Sequence, residues 1–311
     1  MRYLITGGAG FIGSNLAHRL LENNNDVIIV DNLLTGRLSN VPPEAEFLEL
    51  DIGAPDVIQQ LPDTPVDAVL HLGAQSSGEI SFERPEYDVL TNTLGSLNLL
   101  RWCMATGTQR FVYASSMSVY GDVGDDPIAE DHCPQPKSFY GITKLAGEHY
   151  VNAFSRQGLK TTIFRMFNVY GPGQNLENLK QGMVSIYLSF VLNEKLLLVR
   201  GSSQRFRDLV YIDDVVAAWL TVLQNPASFG RTYNLGSGTK TYVHELVRGI
   251  LLAFGKDPET YPVQYAEGTP GDQFGIWADV RRITEEVCWS AQVGLSQGLR
   301  TMARWAMQTR L

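Results

Sequence analysis

A glycine-rich turn near the start of the chain joins an apolar run to a segment with helical spacing, and it limits the fold more than any other feature. Residues 3–5 predict a short buried strand, and residues 11–21 place apolar side chains at helical intervals. Between them, Gly7, Gly10 and Gly13 follow the spacing G-x-x-G-x-x-G. Because glycine lacks a Cβ, the backbone of such a turn can approach a pyrophosphate, which binds the free N–H groups of the helix start. The sequence therefore predicts a strand–turn–helix unit that binds a dinucleotide.

A second predicted strand ends in an acidic residue that supports the same interpretation. Residues 26–30 predict a buried strand, and Asp31 follows it, about 20 residues after the turn. A carboxylate at this point can accept hydrogen bonds from the adenosine ribose hydroxyls, and it repels a 2′-phosphate. The sequence therefore favours NAD over NADP, while a glycine-rich loop without a ligand remains the alternative.

Strands and helices alternate along the first half of the chain, which predicts a doubly wound parallel sheet of the α/β class. Further strands are predicted at residues 47–50, 67–72, 111–114 and 161–165, the last of them completing the sheet, and a helix is predicted at residues 88–106. Ligands of such sheets bind beyond the carboxyl ends of the strands. There, Asp51 could meet the adenine amino group, and Gly73 and Ala74 allow the backbone to approach a cofactor.

Tyr140 and Lys144 place a phenol and an ammonium on one face of a predicted helix, because residues at i and i+4 are neighbours on a helix surface. A phenol titrates near pH ~10 and is a poor base at neutral pH. A neighbouring ammonium, together with the positive charge of an oxidised nicotinamide, would lower the pKa of the phenol. Because such pairs also arise by chance, the weight of this one depends on Ser116 upstream and on the glycine turn.

The second half of the chain is less regular. Its predicted strands are residues 196–199, 209–212 and 232–235, and its predicted helices are residues 213–223, 242–254 and 295–308. Glycine and proline cluster at residues 171–173 and 268–271, which marks loops. We therefore expect an NAD-binding domain over residues 1–170 and a smaller mixed α/β domain over residues 171–311, with elements that interleave.

Composition excludes several classes of function. There are 25 Lys and Arg against 33 Asp and Glu, and the formal charge of −8 argues against general affinity for nucleic acid or an anionic membrane. No apolar run approaches ~18 residues, and the first strand begins too early to leave room for a signal peptide. Three widely spaced cysteines and five histidines without an H-x-x-x-H pair predict reduced thiols and no metal site. These features predict a cytoplasmic enzyme.

Several motifs in combination resemble those of one family. They are the glycine turn, Asp31-Asn32, Asp51-Ile52, Asn92, Tyr140-x-x-x-Lys144 and the segments 71–74, 115–121, 165–172 and 207–214. In these motifs the chain resembles the extended short-chain dehydrogenase/reductase family, and within it the NAD-dependent nucleotide-sugar epimerases and dehydratases. The resemblance implies a Rossmann domain followed by a nucleotide-sugar-binding domain. It also implies a homodimer formed through the helices that begin near residues 88 and 139.

The resemblance also assigns roles to individual residues. Tyr140 would take the proton from the sugar O4 while C4 gives a hydride to NAD, Ser116 would hydrogen-bond the same oxygen, and Lys144 would bind the nicotinamide ribose. The implied cofactor contacts are Gly7, Gly10, Phe11, Ile12, Gly13, Asp31, Asn32, Asp51, Ile52, Leu72, Gly73, Ala74, Asn92, Tyr140, Lys144 and Phe167. The implied substrate contacts are Ser116, Tyr140, Asn168, Arg207 and Ile276.

The segment after Ser116 distinguishes the branches of the family. Dehydratases and decarboxylases that resemble this chain carry an acid there, whereas this chain has Met117 and Ser118, neither of which can serve as that acid. We therefore expect 4-epimerisation of a UDP-glucose or UDP-galactose type substrate through a 4-keto intermediate. Dehydration, decarboxylation, epimerisation elsewhere on the sugar and a non-catalytic NAD-binding regulator remain alternatives. The net charge disfavours an RNA-binding relative on the same fold.

Two positions match the family's contacts to the nucleotide diphosphate. These are Asn168 and Arg207, and a guanidinium suits phosphate because it can donate two parallel hydrogen bonds. The alternative for Arg207 is a surface arginine paired with Asp208 or Asp214.

Other positions depart from the family pattern. A second diphosphate-binding arginine is replaced by Thr269, and a lysine after the fourth strand is replaced by Ser76. Arg200 or Arg205 could compensate. Ile276 stands where a tyrosine excludes N-acetyl sugars in the family, so UDP-N-acetylglucosamine or UDP-glucuronate could also fit.

Overall fold

Seven parallel strands form the central sheet of the computed structural model, which describes residues 1–268 and 273–309. Across the sheet the strands lie in the order β11 (Arg231–Leu235), β6 (Lys160–Met166), β5 (Arg110–Ser116), β4 (Ala68–His71), β1 (Arg2–Thr6), β2 (Asp26–Asp31) and β3 (Glu46–Glu49). Every neighbouring pair in this sheet is parallel. The doubly wound α/β fold that the alternating pattern predicts is therefore confirmed.

Alternate residues of the central strands enter two separate hydrophobic cores. Leu4 and Ile28 belong to one core, and their chain neighbours Ile5 and Ile29 belong to the other. The helices that supply these cores are α1 (Phe11–Glu22) and α8 (Ile212–Leu223) on one face, and α2 (Val57–Gln60), α5 (Gly95–Thr106) and α6 (Phe139–Ser155) on the other. Because both faces are covered, the central strands β1, β2 and β4 are largely apolar along their length.

The helix predicted at residues 88–106 begins earlier and is not uniform. After α3 (Gly78–Glu83), helix α4 (Pro85–Asp88) starts at a proline, which is suited to the first helical position. A π-helical stretch, Val89–Leu94, then connects α4 to α5. Such stretches are rare and often lie at functional sites.

Short sheets and helices make up most of the second half. Strand β7 (Asn168–Tyr170) pairs with β10 (Leu209–Tyr211), β8 (Leu197–Arg200) pairs with β13 (Val263–Ala266), and β9 (Phe206–Arg207) lies between β12 (Thr241–Tyr242) and β14 (Gly275–Ile276). The remaining α-helices here are α7 (Met183–Leu192), α9 (Val243–Ala253), α10 (Arg281–Val287) and α11 (Leu295–Thr309). None of the helices described is long and apolar enough to cross a lipid bilayer.

The strand predicted to complete the sheet is not its outermost strand. β11 pairs with β6 from Arg231 opposite Thr162 to Leu235 opposite Met166, so the second half of the chain supplies the edge. The sequence predicts a strand at residues 232–235, which matches β11, but it does not predict that this strand pairs with β6. Strand β3 begins and ends one residue before the strand predicted at residues 47–50. The division between two domains at residue 170 stays a prediction.

Candidate active site

The glycine turn lies at the carboxyl end of β1, where its backbone is closely packed. Gly7 has a φ of +70°, which favours glycine, and a Cβ there would lie 2.7 Å from the backbone nitrogen of Gly73. A Cβ on Gly13 would overlap the carbonyl oxygen of Gly7 and lie 2.8 Å from Gly8 Cα. Helix α1 follows with Gly10 as its N-cap, without a side-chain cap and without an acidic residue in its first turn. The free N–H groups of this helix start fit a pyrophosphate.

Three polar residues predicted to bind the adenosine lie beside this turn. Asp31 is almost completely buried at the end of β2 and accepts hydrogen bonds from the backbone nitrogens of Ala9, at 3.0 Å, and Leu33, at 2.9 Å. Burial raises the pKa of the Asp31 carboxyl, and these two hydrogen bonds oppose that shift. Asn32 Nδ2 lies 3.4 Å from Asp51 Oδ2. Asn32, the chain neighbour of Asp31, therefore links the end of β2 to Asp51.

Other predicted cofactor residues surround the same end of the sheet. Leu72, Gly73 and Ala74 follow β4 and are half-buried, as are Phe11 and Ile12 at the start of α1. Ile52 and Phe167 are buried in two different hydrophobic clusters. The structure thus brings these backbone segments to one end of the sheet, as the sequence predicts.

Asn92 makes contacts within the protein. Its Oδ1 accepts a hydrogen bond from the backbone nitrogen of Gln75 at 2.9 Å, and its Nδ2 donates to Gln75 O at 3.0 Å and to Thr143 Oγ1 at 3.1 Å. Asn92 therefore ties the loop after β4 to α6. A direct contact between Asn92 and a cofactor stays a prediction.

Ser116, Tyr140 and Lys144 lie together at the carboxyl end of β5. Lys144 Nζ donates to the carbonyl oxygen of Ala114 at 2.9 Å and lies 6.0 Å from the centroid of the Tyr140 ring. Ser116 is the last residue of β5, and its hydroxyl acts on the Tyr140 phenol as a hydrogen-bond partner that lowers the pKa of the phenol. The arrangement has the parts of a general base with a polarising hydroxyl.

The protein alone does not make Tyr140 a stronger base, which corrects the argument from its spacing with Lys144. Burial raises the pKa of Tyr140 to about 12, the hydrogen bond from Ser116 opposes the rise, and the negative charge of Asp88 adds to it. Burial also lowers the pKa of Lys144 to about 7, against the charges of Asp88 and Glu148. Desolvation thus dominates the pKa of both groups in the protein alone, and the positive charge of an oxidised nicotinamide is needed, beside the Ser116 hydrogen bond, to lower the pKa of Tyr140.

Two buried carboxyl groups near this site were not identified from the sequence. Glu148 lies four residues beyond Lys144 on the same helix face, so the i+4 spacing could have indicated it. Asp88, at the end of α4, has no such signal because the fold brings it close from a distant part of the chain.

At the substrate end, Asn168 and Arg207 are brought near each other by strand pairing. The backbone nitrogen of Asn168 donates to Asp208 O at 3.1 Å, and Asn168 Oδ1 is buried without a hydrogen-bond partner among the described residues. Arg207 is buried and donates to the carbonyl oxygens of Gln273, at 2.7 Å, and Phe206, at 2.8 Å. Burial and the neighbouring Arg205 lower the pKa of Arg207 to about 10.

The alternative of a surface ion pair for Arg207 is wrong. Arg207 is buried and does not lie at the surface. The carboxylate of Asp208 is already engaged, because it accepts hydrogen bonds from the backbone nitrogens of Ser237 and Gly238. Asp214 accepts from the backbone nitrogens of Gln292 and Val293.

The departures from the family pattern have different surroundings. Ile276 exposes none of its side chain and packs in a cluster with Phe167 and Val119, against which the half-buried Met117 rests. Ser76 is exposed and accepts a hydrogen bond from Gln181 at 2.7 Å. Thr269 lies outside the described residues.

No group of three or more His, Cys, Asp or Glu side chains that could hold a metal ion is present within residues 1–268 and 273–309. Cys103, Cys133 and Cys288 are all free thiols, and only Cys103 is buried.

Comparisons with known proteins agree with this geometry. The sequence profile described as the NAD dependent epimerase/dehydratase family matches residues 3–236. A protein of Methanocaldococcus jannaschii named putative UDP-glucose 4-epimerase is 35% identical over 97% of both chains. The crystal structure of UDP-glucose 4-epimerase with UDP-glucose from Thermotoga maritima superposes with a TM-score of 0.94, at 34% identity, over 100% of both chains. The UDP-glucose 4-epimerase of Thermus thermophilus in complex with NAD gives a TM-score of 0.89, at 33% identity, over 98% of this chain and 99% of that one.

Proposed function

Because the chain belongs to the NAD-dependent epimerase/dehydratase family, we propose that it inverts C4 of a UDP-sugar and uses NAD as its cofactor. The observation that carries the proposal is the meeting of Ser116, Tyr140 and Lys144 beside the glycine turn. The relatives named above as UDP-glucose 4-epimerases, one of them as putative, support the choice of reaction.

The residues around the glycine turn fit NAD. Side chains on Gly7 and Gly13 would fill the turn, and the helix start has no side-chain cap, so its N–H groups can bind an anion. Asp31, at the end of β2 beside the turn, would hold the ribose hydroxyls and repel a 2′-phosphate. Bound there, NAD would supply the reversible oxidation of the sugar at C4. Lys144 would hold the nicotinamide ribose.

The protein's own chemistry is proton transfer at the sugar O4. Tyr140, as the phenolate, would take the proton of that hydroxyl and later return it. Ser116 would donate a hydrogen bond to the same oxygen while negative charge develops on it. The resulting 4-keto sugar then has to turn over within the pocket so that its other face is reduced.

Dehydration and decarboxylation are less well supported. Both need an acid after the catalytic serine, and the half-buried residues there are Met117 and Ser118. A non-catalytic regulator is disfavoured because Ser116 and Lys144 both lie close to Tyr140.

A panel of UDP-, dTDP-, GDP- and CDP-sugars followed by NMR tests the proposed reaction. We expect a change in the coupling of the C4 proton of a UDP-sugar, without loss of water. A 4-keto-6-deoxy product would indicate dehydration instead, and loss of carbon dioxide from UDP-glucuronate would indicate decarboxylation.

Ile276 is proposed to leave room for larger sugars. It is smaller than tyrosine, and it is buried beside Met117, next to the catalytic Ser116. UDP-N-acetylglucosamine or UDP-glucuronate should therefore also be converted in the NMR panel. Conversion of UDP-glucose alone would show that Ile276 does not set the size limit.

Arg205 is proposed to supply the second guanidinium for the substrate diphosphate, because Thr269 replaces the arginine that has this role in the family. Like Arg207 it is buried, and its charge acts on Arg207 across Phe206. Because the charge of Arg205 lowers the pKa of Arg207, a dianionic diphosphate bound beside both guanidinium groups would favour their charged forms. The buried Asn168 Oδ1 near Arg207 supports a polar ligand at this place.

Replacing Arg205 with glutamine should weaken substrate binding. A hydrogen bond to a charged group contributes about 1.5–3 kcal/mol, so Arg205→Gln should raise KM for the UDP-sugar by about tenfold or more with little change in kcat. Steady-state kinetics and calorimetric titration with UDP measure this. The exposed Arg200, whose carbonyl oxygen accepts a hydrogen bond from Arg205, provides the control. If Arg200→Gln raises KM and Arg205→Gln does not, the assignment is reversed.

A homodimer is proposed to form through the π-helical stretch and α6. Both present exposed apolar side chains, which mark association surfaces when they are contiguous. The exposed ones are Val89, Leu90, Phe139, Ile142 and Tyr150, and Phe82 of α3 contacts Phe139 with ring centroids 5.6 Å apart.

A charge at this surface should separate the dimer. Ile142 on α6 is 49% exposed. If a second copy covers this face, the variant Ile142→Glu would bury an unpaired carboxylate at the interface, which is costly. We expect light scattering after gel filtration to give the dimer mass for the wild type and the monomer mass for the variant. Leu252→Glu on α9, where the leucine is 57% exposed, is the control and should leave the mass unchanged. A monomeric wild type would refute the proposal.

A cytoplasmic location is also proposed. The three free cysteines suit a reducing compartment, and the net charge of −8 gives no general attraction to nucleic acid.

A further inference from the structure

Glu148 is a buried carboxylate at the centre of a hydrogen-bonded group behind the catalytic residues. Its Oε1 accepts from Ser115 Oγ at 2.5 Å and from Arg165 Nε at 3.0 Å, and its Oε2 accepts from Arg165 Nη2 at 2.8 Å. The side chains of Arg165 and Glu148 are 8% and 4% exposed. Such a pair is shielded from salt and holds its partners in one geometry.

These contacts fix α6 against the end of β5. Tyr140, Lys144 and Glu148 are spaced by four residues on one helix face, and each meets one of three consecutive β5 residues. Lys144 binds Ala114 O, Glu148 binds Ser115, and Tyr140 is paired with Ser116. Sliding of the helix would break all three contacts together.

Arg165 connects this group to the second half of the chain. Its Nη1 donates to Glu130 O at 3.0 Å, and its guanidinium lies 4.8 Å from the centroid of the Tyr120 ring. Glu130 Oε1 in turn accepts from the backbone nitrogen of Asn234 in β11 at 2.8 Å. The position of Glu148 is therefore determined from both sides.

The ammonium of Lys144 has charged or titratable neighbours on four elements, β4, α4, β5 and α6. Those that act on it or are acted on by it are His71 of β4, Asp88 of α4, Tyr113 of β5, and Tyr140 and Glu148 of α6 itself. Burial lowers the pKa of Lys144, and only Asp88 and Glu148 oppose that shift. Glu148 is the one of these two that also contacts the strand bearing Ser116.

We propose that Glu148, held by Ser115 and Arg165, is a positioning residue for the epimerase reaction: it keeps Lys144 as an ammonium and holds Tyr140 level with Ser116. The proposal rests on the proposed function for its kinetic readout. It predicts that removing the charge of Glu148 shifts the pH dependence of the reaction, whereas removing its contact with Ser115 does not. A merely structural ion pair would not produce this difference.

The test compares Glu148→Gln with Ser115→Ala. Glutamine keeps the shape and removes the charge, so kcat should fall about tenfold or more, and the alkaline limb of the kcat–pH profile should move about one unit toward lower pH. KM for the UDP-sugar should change less than about twofold, because neither residue touches substrate. Ser115→Ala keeps the charge, so it should lower kcat less and leave the alkaline limb in place.

A second variant addresses loss of folding. Glu148→Gln leaves the Arg165 guanidinium buried without its carboxylate, which is costly. The double variant Glu148→Gln/Arg165→Met removes both charges and should fold, with the alkaline limb displaced in the same direction. Circular dichroism and bound NAD, measured on each variant, establish folding.

Direct titration of Lys144 separates failure of this proposal from failure of the proposed function. The Lys144 side-chain resonance, assigned by its loss in Lys144→Met, can be followed by NMR in carbon-labelled lysine without any turnover. Its midpoint should fall in Glu148→Gln and not in Ser115→Ala. If Glu148→Gln keeps the wild-type kcat, pH profile and Lys144 midpoint, the Glu148–Arg165 ion pair contributes only to the stability of the fold, and the proposal is overturned. If no sugar is converted but the midpoint falls, only the proposed reaction fails.

Discussion

Replacing Tyr140 with phenylalanine is expected to lower kcat for C4 epimerisation by about a hundredfold to ten-thousandfold, the usual contribution of a general base. Phenylalanine keeps the ring and removes the oxygen that would take the proton from O4. In the protein alone, burial raises the pKa of this phenol to about 12, with Ser116 opposing and Asp88 adding to the rise. The wild-type rate should therefore increase with pH on its acid side, as the phenolate forms. The residual rate of the variant should lack that dependence.

The measurement is the initial rate by NMR over a range of pH, with bound NAD and thermal unfolding recorded for each protein. Tyr3→Phe is the matched control. It removes a phenol hydroxyl at the amino end of β1, where the hydroxyl contacts the sulfur of Met1, at 3.2 Å, and the side chain of Gln224. Tyr3→Phe should keep the wild-type rate. A Tyr140→Phe enzyme with wild-type kcat and NAD content would remove the basis of the proposed mechanism.

Replacing Gly13 with alanine should abolish NAD retention. The added methyl would overlap the carbonyl oxygen of Gly7 and crowd Gly8 Cα at 2.8 Å, and both are backbone atoms with little freedom to move. Relief requires α1 to shift away from the turn, which displaces the N–H groups expected to bind the pyrophosphate. Overpacking of this kind also costs about 1–3 kcal/mol of folding stability. NAD affinity should fall by more than about a hundredfold, since several charge-assisted hydrogen bonds are lost together.

Calorimetric titration with NAD and the midpoint of urea unfolding measure the two effects. Gly124→Ala is the control, because a Cβ at Gly124 meets no atom within 4 Å and its φ is not in the left-handed region. That variant should bind NAD as the wild type does. If Gly13→Ala also binds NAD normally, the glycine turn does not form the pyrophosphate site.

The parts of the site that local sequence predicts are those that depend on short spacing. The glycine turn, the acid after β2 and the Tyr140–Lys144 pair each involve residues within about 30 positions, where strand and helix periods determine which side chains meet. The structure places all of them at the carboxyl ends of β1, β2 and β5. Parallel sheets bring such ends together, so the convergence was also predictable.

The parts that could not be predicted depend on distant contacts. Asp88 raises the pKa of Lys144 and of Tyr140 from a distant part of the chain, and the ion pair that holds Glu148 comes from Arg165 of β6, although the position of Glu148 itself follows from its spacing. Desolvation of Tyr140 could not be read from its spacing with Lys144, because burial is a property of the packed chain. The buried state of Arg207 was missed for the same reason, since residues 273–274 supply the carbonyl groups that bind it.

The pairing of β11 with β6 has a consequence for how the chain reaches its native state. Until residues 231–235 have left the ribosome, β6 offers an open row of backbone hydrogen-bonding groups to any neighbouring nascent chain. The central sheet is therefore completed only after residues 231–235 have been made, although the glycine turn emerges first. While that strand is exposed, the unfinished chain is therefore more prone to edge-to-edge association than the finished one.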